Sequence, residues 1–372
     1  MKSGVEEIIC RLKPMRQSKG WSQTQLAERV GVKRQAIYDI ESGKYIPNTA
    51  LALGLARELG CKVEDLFHEK PTDIQQPVTV VEAFDNRDTR VEVTNIRGRL
   101  VGYPLGGKRA FDHGFRPADG LLTADGKMVR LLYPEERIER SIVLLGCDPA
   151  FSLLSAHVLR YAPEVRMRCR FNSSRNALMG LAAGHAHIAG THLHNMHPGE
   201  ANVKLASTLL GKMKAQVIAF SVMEEGLMVA SGNPKGIRDV NDLATGRVRL
   251  INRESGAALR TLLDDYLDRS GISKADVAGY ENEVHSHLEG AQMVAFGQAD
   301  AALGFRAVAD ACKLDFVPIQ VVRCDLVVPE DMNEHPSMQI LLDTLQSGQF
   351  RQELGALPGY ESSHTGAVIA EL

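Results

Sequence analysis

The sequence predicts a multidomain chain: an all-α head over residues 1–70, a small β-rich linker over 71–139 and an α/β body over 140–372. Three observations carry this reading. Apolar residues recur at helical spacing throughout the first seventy positions. The next seventy alternate in Val-x-Val segments broken by Gly and Pro. From Arg140 onward, short apolar runs alternate with helix-length patterns, the signature of a largely parallel sheet.

Composition agrees with more than one folded unit. At 372 residues and 44% hydrophobic residues, the chain can build several cores and is far from the composition of disorder. The net charge of −3 divides unevenly: residues 1–70 sum to +3 and the remainder to −6. A basic head on an acidic body suits a nucleic-acid contact at one end. The six cysteines are scattered, with no C-x-x-C pair, which argues against a zinc ribbon or a disulfide framework. No apolar stretch approaches the ~20 residues that span a bilayer, so a soluble, cytoplasmic protein without a membrane partner is expected.

The head reads in pieces. Ser22 is an N-cap with Gln25 three residues on, a capping box, and Leu26, Ala27 and Val30 form one apolar face. Gly31 supplies the backbone freedom of a sharp interhelical turn. A second helix starts near Lys33, turning Ile37 and Ile40 inward, and Ser42-Gly43 closes it. Asn48-Thr49 caps a further helix carrying Leu51, Leu55 and Leu59. The pattern S-Q-x-x-L-A, G-V, x-R-Q-x-I, E-S-G-K and L-F closely resembles the Cro/phage-repressor (Xre) helix-turn-helix family. That resemblance implies double-stranded DNA as partner, with the helix around Lys33–Glu41 in the major groove. Gln35 would pair with a base edge, Lys33, Arg34 and Tyr38 would read bases or hold phosphates, and Gln23 would bond a phosphate.

In the body, SIVLLG precedes PAFSLLSAHVLRYA, VRMRCRF precedes SRNALMGLAAG, and VRLINR precedes SGAALRTLLDDYLDRSG. Strand-to-helix junctions present unpaired N–H groups and suit an anion or a small polar molecule. Four stand out. Gly146-Cys147-Asp148-Pro149 ends the first strand, with Pro149 fitting a first helical position; Ser173-Ser174-Arg175 follows the second. Thr191-His192 follows HIAG, and Asn252-Arg253-Glu254-Ser255-Gly256 opens the helix that holds Arg260. The same Ser and Asp residues also serve as plain helix caps, and that alternative stands beside the binding one.

The stretches LLGCDPAFSLL, SSRNALMGLAAGHAHIAGTHLHN, GLMVASGNPKGIRDVNDL, RVRLINRESGAALRTLLDDYL, HSHLEGAQMVAFGQADAALGF and FRQELGALPGYESSHTG resemble periplasmic-binding-protein-like domains related to molybdate- and tungstate-binding proteins. The resemblance covers roughly 140–366 and implies a two-lobed α/β body of type II, with ligand in the cleft between lobes. The ligand contacts it implies are Asp148, Ser173, Ser174, Arg175, Thr191, His192, Arg253, Ser255, Gly256, Arg260 and His287. Two departures bear on the ligand. Where the family carries G-S-G-T-R, this chain has Gly256-Ala257-Ala258-Leu259-Arg260; where it has Gly-Ser before two glycines, this chain has Ser173-Ser174-Arg175-Asn176. Lost hydroxyls and an added arginine favour a carboxylate- or phosphate-bearing ligand over the simple oxyanion.

His185, His187, His192, His194 and His197 crowd thirteen residues, with His285 and His287 farther on, and imidazole suits zinc, copper or nickel. His185 and His187 read as a surface turn, so no metal and no cofactor is assigned. No Walker loop, G-x-S-x-G, H-E-x-x-H or dinucleotide glycine pattern occurs, and no enzyme is expected. The whole reads as a one-component transcriptional regulator, a homodimer on DNA that a small anionic effector controls. The alternatives are a metal-responsive regulator using the His185–His197 cluster, or a ligand-independent DNA-binding protein.

Overall fold

The computed structural model describes residues 8–69, 75–82, 89–106, 116–193 and 200–372. The chain divides into two compact units, Met1–Gln75 and Gln76–Leu372.

The first unit is helical. Strand β1 (Ile8–Cys10) leads into α1 (Leu12–Ser18), α2 (Gln23–Val30), α3 (Arg34–Glu41), α4 (Thr49–Leu59) and α5 (Val63–Leu66), and β2 (Phe67–Glu69) returns antiparallel to β1. The expected caps are present. Ser22 Oγ accepts from Gln25 N while Gln25 returns its side-chain oxygen to Ser22 N. Asn48 accepts from Leu51 N at 2.9 Å. Gly31 ends α2 with φ +69°, a left-handed conformation that costs glycine no Cβ clash. Leu12, Leu26, Ile37, Ile40, Leu55, Leu59 and Leu66 close one core.

The second unit begins with a six-stranded sheet. Its strands are β3 (Gln75–Pro77), β4 (Thr79–Val80), β5 (Arg90–Ile96), β6 (Arg99–Pro104), β7 (Gly120–Leu122) and β8 (Met128–Leu131), in spatial order β3-β8-β7-β5-β6-β4. Helix α6 (Glu135–Glu139) follows and buries Ile138 beneath Val91 and Val93. The sheet shares its interior with what comes next: Ile96, Val101 and Tyr103 sit in one core with Val143, Leu145 and Leu178.

Two lobes follow. In the first, β9 (Ser141–Gly146), α7 (Phe151–Tyr161), β10 (Arg166–Phe171), α8 (Ser174–Ala182) and β11 (Ile188–His192) form parallel strands in the order β10-β9-β11. Strand β9 is buried on both faces, which is why SIVLLG is an unbroken apolar run. Ile142 and Leu144 face Phe151 and Leu154 of α7; Val143 and Leu145 face α8. After α9 (Glu200–Leu210), the fifteen-residue β12 (Ala215–Val229) carries the chain into the second lobe. There β13 (Leu250–Arg253), α10 (Ala258–Arg269), β14 (Glu283–Val284), α11 (His287–Ala295), β15 (Ala301–Phe305) and α12 (Arg306–Ala311) surround a second core of Leu227, Leu250, Leu259, Leu263 and Leu303. A second fifteen-residue strand, β16 (Asp315–Pro329), returns antiparallel to β12, from Val229↔Asp315 to Ala215↔Pro329. Helices α13 (Met338–Gln346) and α14 (Gly348–Gly355) and strands β17 (Tyr360–Glu361) and β18 (Val368–Glu371) complete the first lobe.

The lobes are therefore joined by a hydrogen-bonded two-strand ribbon. Its register shifts twice, at Ala219/Ser221 and Glu225/Gly226. Gly226 sits where a Cβ would run into Val317 O, so no other residue fits without moving the partner strand.

Candidate functional site

In the head, Lys33, Arg34, Gln35 and Tyr38 are all exposed on or just before α3, while Ile37 and Ile40 point into the core. Gln35 Nε2 donates to Asp39 Oδ1 at 2.9 Å, and the Lys44 ammonium lies 5.4 Å from the Tyr38 ring centre. Gln23 is differently placed. Its amide donates to Glu41 Oε2 at 2.9 Å, beside the Arg16 guanidinium that bonds both Glu41 oxygens at 2.6 and 3.0 Å. Its side chain thus ties α2 to the end of α3, and a phosphate contact there would have to break that tie. Burial opposes charge on Glu41, but the bonds from Arg16 and Gln23 outweigh it and hold the carboxyl below its usual range.

In the body, the sheet delivers several loops to one place. Phe151 packs its ring into the space that Cβ atoms on Gly146 and Gly190 would occupy. Strands β9 and β11 pair in parallel with Leu145 opposite Ala189, which brings Cys147 and His192 side by side at their ends. Ser173 caps α8, and Ser174 Oγ bonds both the N–H and the carbonyl of His192 at 3.0 and 2.9 Å, fixing its backbone. From the second lobe come Arg253, at the end of β13, and His287, at the start of α11.

These residues enclose a pocket between the lobes, lined by Cys147, Phe171, Ser173, His192, Arg253 and His287, with Glu254 and Ala257–Leu259 along one side. The space inside holds about one water molecule. Arg253 is buried, and its fork meets Glu254 through Nε and Nη2, each at 3.1 Å, while Nη1 lies 3.2 Å from His287 Nδ1. The guanidinium also stands 5.3 Å from the Phe171 ring centre. Burial, with Arg253 and His192 nearby, holds His287 well below its ordinary range, so this imidazole is neutral. His192 differs. Burial opposes its charge, but Cys147 and Glu225 outweigh burial and hold it well above that range. Its Nε2 lies 2.7 Å from Cys147 Sγ and its Nδ1 3.1 Å from Glu225 Oε1.

Of the expected ligand residues, Ser173, His192, Arg253 and His287 meet at the pocket. The others are placed elsewhere. Asp148 turns into the core, where it accepts from Tyr360 Oη at 2.7 Å, Ser221 Oγ at 3.1 Å and Ala150 N at 2.8 Å; burial raises its carboxyl above the usual range. Pro149 lies in the turn before α7, whose first residue is Phe151, not at a first helical position. Thr191 is buried inside β11. Ser174 acts through His192, whereas Arg175, Ser255 and Gly256 are exposed. Arg260 stacks 4.6 Å from the Tyr280 ring centre and pairs with Glu283, away from the pocket. Cys147, Phe171, Glu254 and Glu225 belong to the site but are not among the expected contacts, although Cys147 and Glu254 each lie within a junction named from sequence.

The histidine cluster divides. His187 is fully buried, not on a surface turn: Nδ1 accepts from Val143 N and Nε2 meets Asn95 O, both at 3.0 Å. His194 and His197 lie outside the described residues. Among the described residues no group of three or more His, Cys, Asp or Glu side chains is placed to hold a metal ion. Nor is any described helix long and apolar enough to cross a membrane.

Residues 155–346 match the PBP superfamily domain, and residues 12–66 match a helix-turn-helix family. The chain belongs to the PBP superfamily. It carries an Xre-type helix-turn-helix domain at its N-terminus. The chain is 33% identical over 245 residues to the uncharacterised protein YvgK of Bacillus subtilis, covering 66% of this chain and 78% of the relative. Over 67 residues it is 42% identical to the uncharacterised helix-turn-helix transcriptional regulator YgzD of the same organism, 18% of this chain and 91% of the relative. Among solved structures, the chain is similar to a putative phosphate ABC transporter substrate-binding protein with bound phosphate from Clostridium perfringens. There the identity is 11% and the TM-score 0.46, covering 59% of this chain and 99% of the other.

Proposed function

We propose that this chain is a cytoplasmic one-component regulator whose head binds operator DNA as a homodimer and whose PBP body holds a small anionic ligand. The observation that carries the ligand class is the buried Arg253 at the lobe boundary, clamped by Glu254 and flanked by neutral His287. A buried guanidinium needs a carboxylate or phosphate opposite it. In the closed pocket Glu254 supplies that charge from the same chain. A ligand with two acceptor oxygens in a plane would replace Glu254, take Ser173 Oγ as a further donor and contact the His287 ring. The body acts as a binding domain without turnover.

Exchange of Glu254 for ligand needs the lobes to part, and the β12–β16 ribbon is the element that must twist. The ligand changes DNA affinity only if it prefers one lobe arrangement over the other. The test is a thermal-shift screen of the full chain against phosphate, sulfate, molybdate, tungstate and small mono- and dicarboxylates. Binders are then added to the protein on a DNA fragment selected from a random library. Stabilisation by at least one anion, lost in Arg253→Met, is expected. No stabilisation by any of them, or stabilisation that survives Arg253→Met, overturns the anion reading.

A further inference from the structure

The pocket contains chemistry that ligand binding does not use. Cys147 Sγ, the His192 ring and the Glu225 carboxylate form a line, at 2.7 Å from sulfur to Nε2 and 3.1 Å from Nδ1 to oxygen. The three come from three separate strands or strand ends, β9, β11 and β12, so the sheet itself holds them in register. The sulfur and the ring border the pocket, whereas Glu225 is buried behind the ring and cannot reach a ligand. An imidazole held between a thiol and a carboxylate stabilises the thiolate, which is the nucleophilic form of cysteine.

We propose that Cys147 is a reactive thiolate paired with the His192 imidazolium, which Glu225 orients, and that a peroxide entering the pocket oxidises it to a sulfenic acid. The size of the pocket selects the reagent. Space for about one water molecule favours hydrogen peroxide, only two heavy atoms in size, over bulky disulfides and most organic electrophiles while the lobes are closed. The step balances. The thiolate attacks one peroxide oxygen, an S–O bond forms and the O–O bond breaks. Sulfur loses two electrons to the peroxide, and the departing hydroxide takes the proton of His192 to leave as water. The imidazole is left neutral beside Cys–SOH. The buried Arg253 cation, in the same pocket, favours the negative charge that develops on the leaving oxygen.

The other cysteines lack this arrangement. Burial pushes the Cys10, Cys61, Cys312 and Cys324 thiols up from their ordinary range, and Cys169 up to about 12. Cys169 donates to Phe151 O at 3.2 Å, a structural bond that keeps its proton. One chain therefore offers five internal controls for the sixth thiol.

The reactivity of Cys147 stands on this geometry and does not rest on the regulator reading. The full chain is treated with equimolar hydrogen peroxide for varied times, the peroxide is removed with catalase, and the protein is unfolded in guanidinium chloride containing dimedone. The dimedone then traps any sulfenic acid, so that each cysteine peptide is followed by mass spectrometry without the trap having to enter the folded pocket. Cys147 should be trapped at least about tenfold faster than any other cysteine, and dithiothreitol added in place of dimedone should restore the thiol. His192→Gln should slow the trapping by about tenfold or more. Glu225 is a positioning residue, so Glu225→Gln should slow trapping and Glu225→Asp should recover part of it. Trapping of Cys147 at the rate of the other thiols in the wild-type protein overturns the proposal and needs no variant. So does wild-type trapping in a folded His192→Gln protein. Anion stabilisation is measured separately on reduced protein, so failure of either idea leaves the other readable.

Discussion

Glu254 closes on Arg253, the residue before it in sequence, through Nε and Nη2 of one guanidinium fork, each bond 3.1 Å. Adjacent residues on a strand point to opposite faces, so this pairing is possible only because the chain leaves β13 at Arg253 and turns. The pair keeps a buried cation neutralised without a ligand.

That arrangement predicts competition. Glu254→Gln removes the internal rival and should raise affinity for inorganic phosphate, or for any stronger anion found by screening, by about tenfold, equivalent to roughly 1.4 kcal/mol. Arg253→Met should abolish it. Isothermal titration calorimetry on the two variants checks both directions.

The head offers a stability test with its own optical probe. Trp21 is the only tryptophan of the chain, and Arg29 stacks 4.1 Å from its ring centre. Glu41→Ala leaves the Arg16 guanidinium buried without its counter-charge and should cost about 3–5 kcal/mol. Urea unfolding followed by Trp21 fluorescence should show it. In acid, below the ordinary glutamate value of 4.5, the wild-type pair weakens too. The lowered Glu41 carboxyl stabilises the fold above the unfolded value and loses that contribution as pH falls through the folded one.

Gln35 must release Asp39 before it can reach a base edge. Gln35→Ala should weaken binding to the selected DNA by about 1–3 kcal/mol and leave binding to random DNA unchanged. Equal loss on both, by fluorescence anisotropy at fixed salt, removes Gln35 from the base-reading set.

His187 gives the body an acid sensitivity. Burial, with His335 and Arg97 nearby, lowers it from 6.5 to about 3, against an opposing bond to Asn95 and the charge of Asp331. Between those values the unfolded chain binds a proton that the folded chain refuses, so stability falls as pH drops from about 6.5 towards 3. His187→Gln should be about 1–3 kcal/mol less stable at pH 7, since Val143 N and Asn95 O lose well-placed partners. Its urea-unfolding stability should also vary less steeply with pH across that window.

Local signals were legible and non-local ones were not. The capping box at Ser22, the cap at Asn48 and the left-handed Gly31 depend on neighbours within four residues, and the alternation of SIVLLG with PAFSLL depends on burial that repeats along an element. The β12–β16 ribbon pairs Ala215 with Pro329, and nothing in either segment names the other. The pocket follows the same divide. Its junctions could be located because strands and helices announce their ends. The direction of a loop side chain follows no period, so Asp148 turned inward to Tyr360 and Arg260 outward to Glu283. Cys147 and His192, 45 positions apart, meet because β9 and β11 pair in parallel, with Leu145 opposite Ala189, and neither segment names the other.

Strand β10 carries Arg166, Arg168 and Arg170 along one face. That face is an interior. Arg166 and Arg168 both pair with Asp119, Arg168 also donates to Val93 O, and Arg170 reaches Glu92 and Glu82 at 3.2 Å each. A shortened chain begun at Ser141 would strand three guanidinium groups and bare the apolar surface under Ile96 and Tyr103. In any domain exchange between relatives, residues 76–139 are therefore inherited with the first lobe, and the usable seam in the chain lies at Gln75–Gln76.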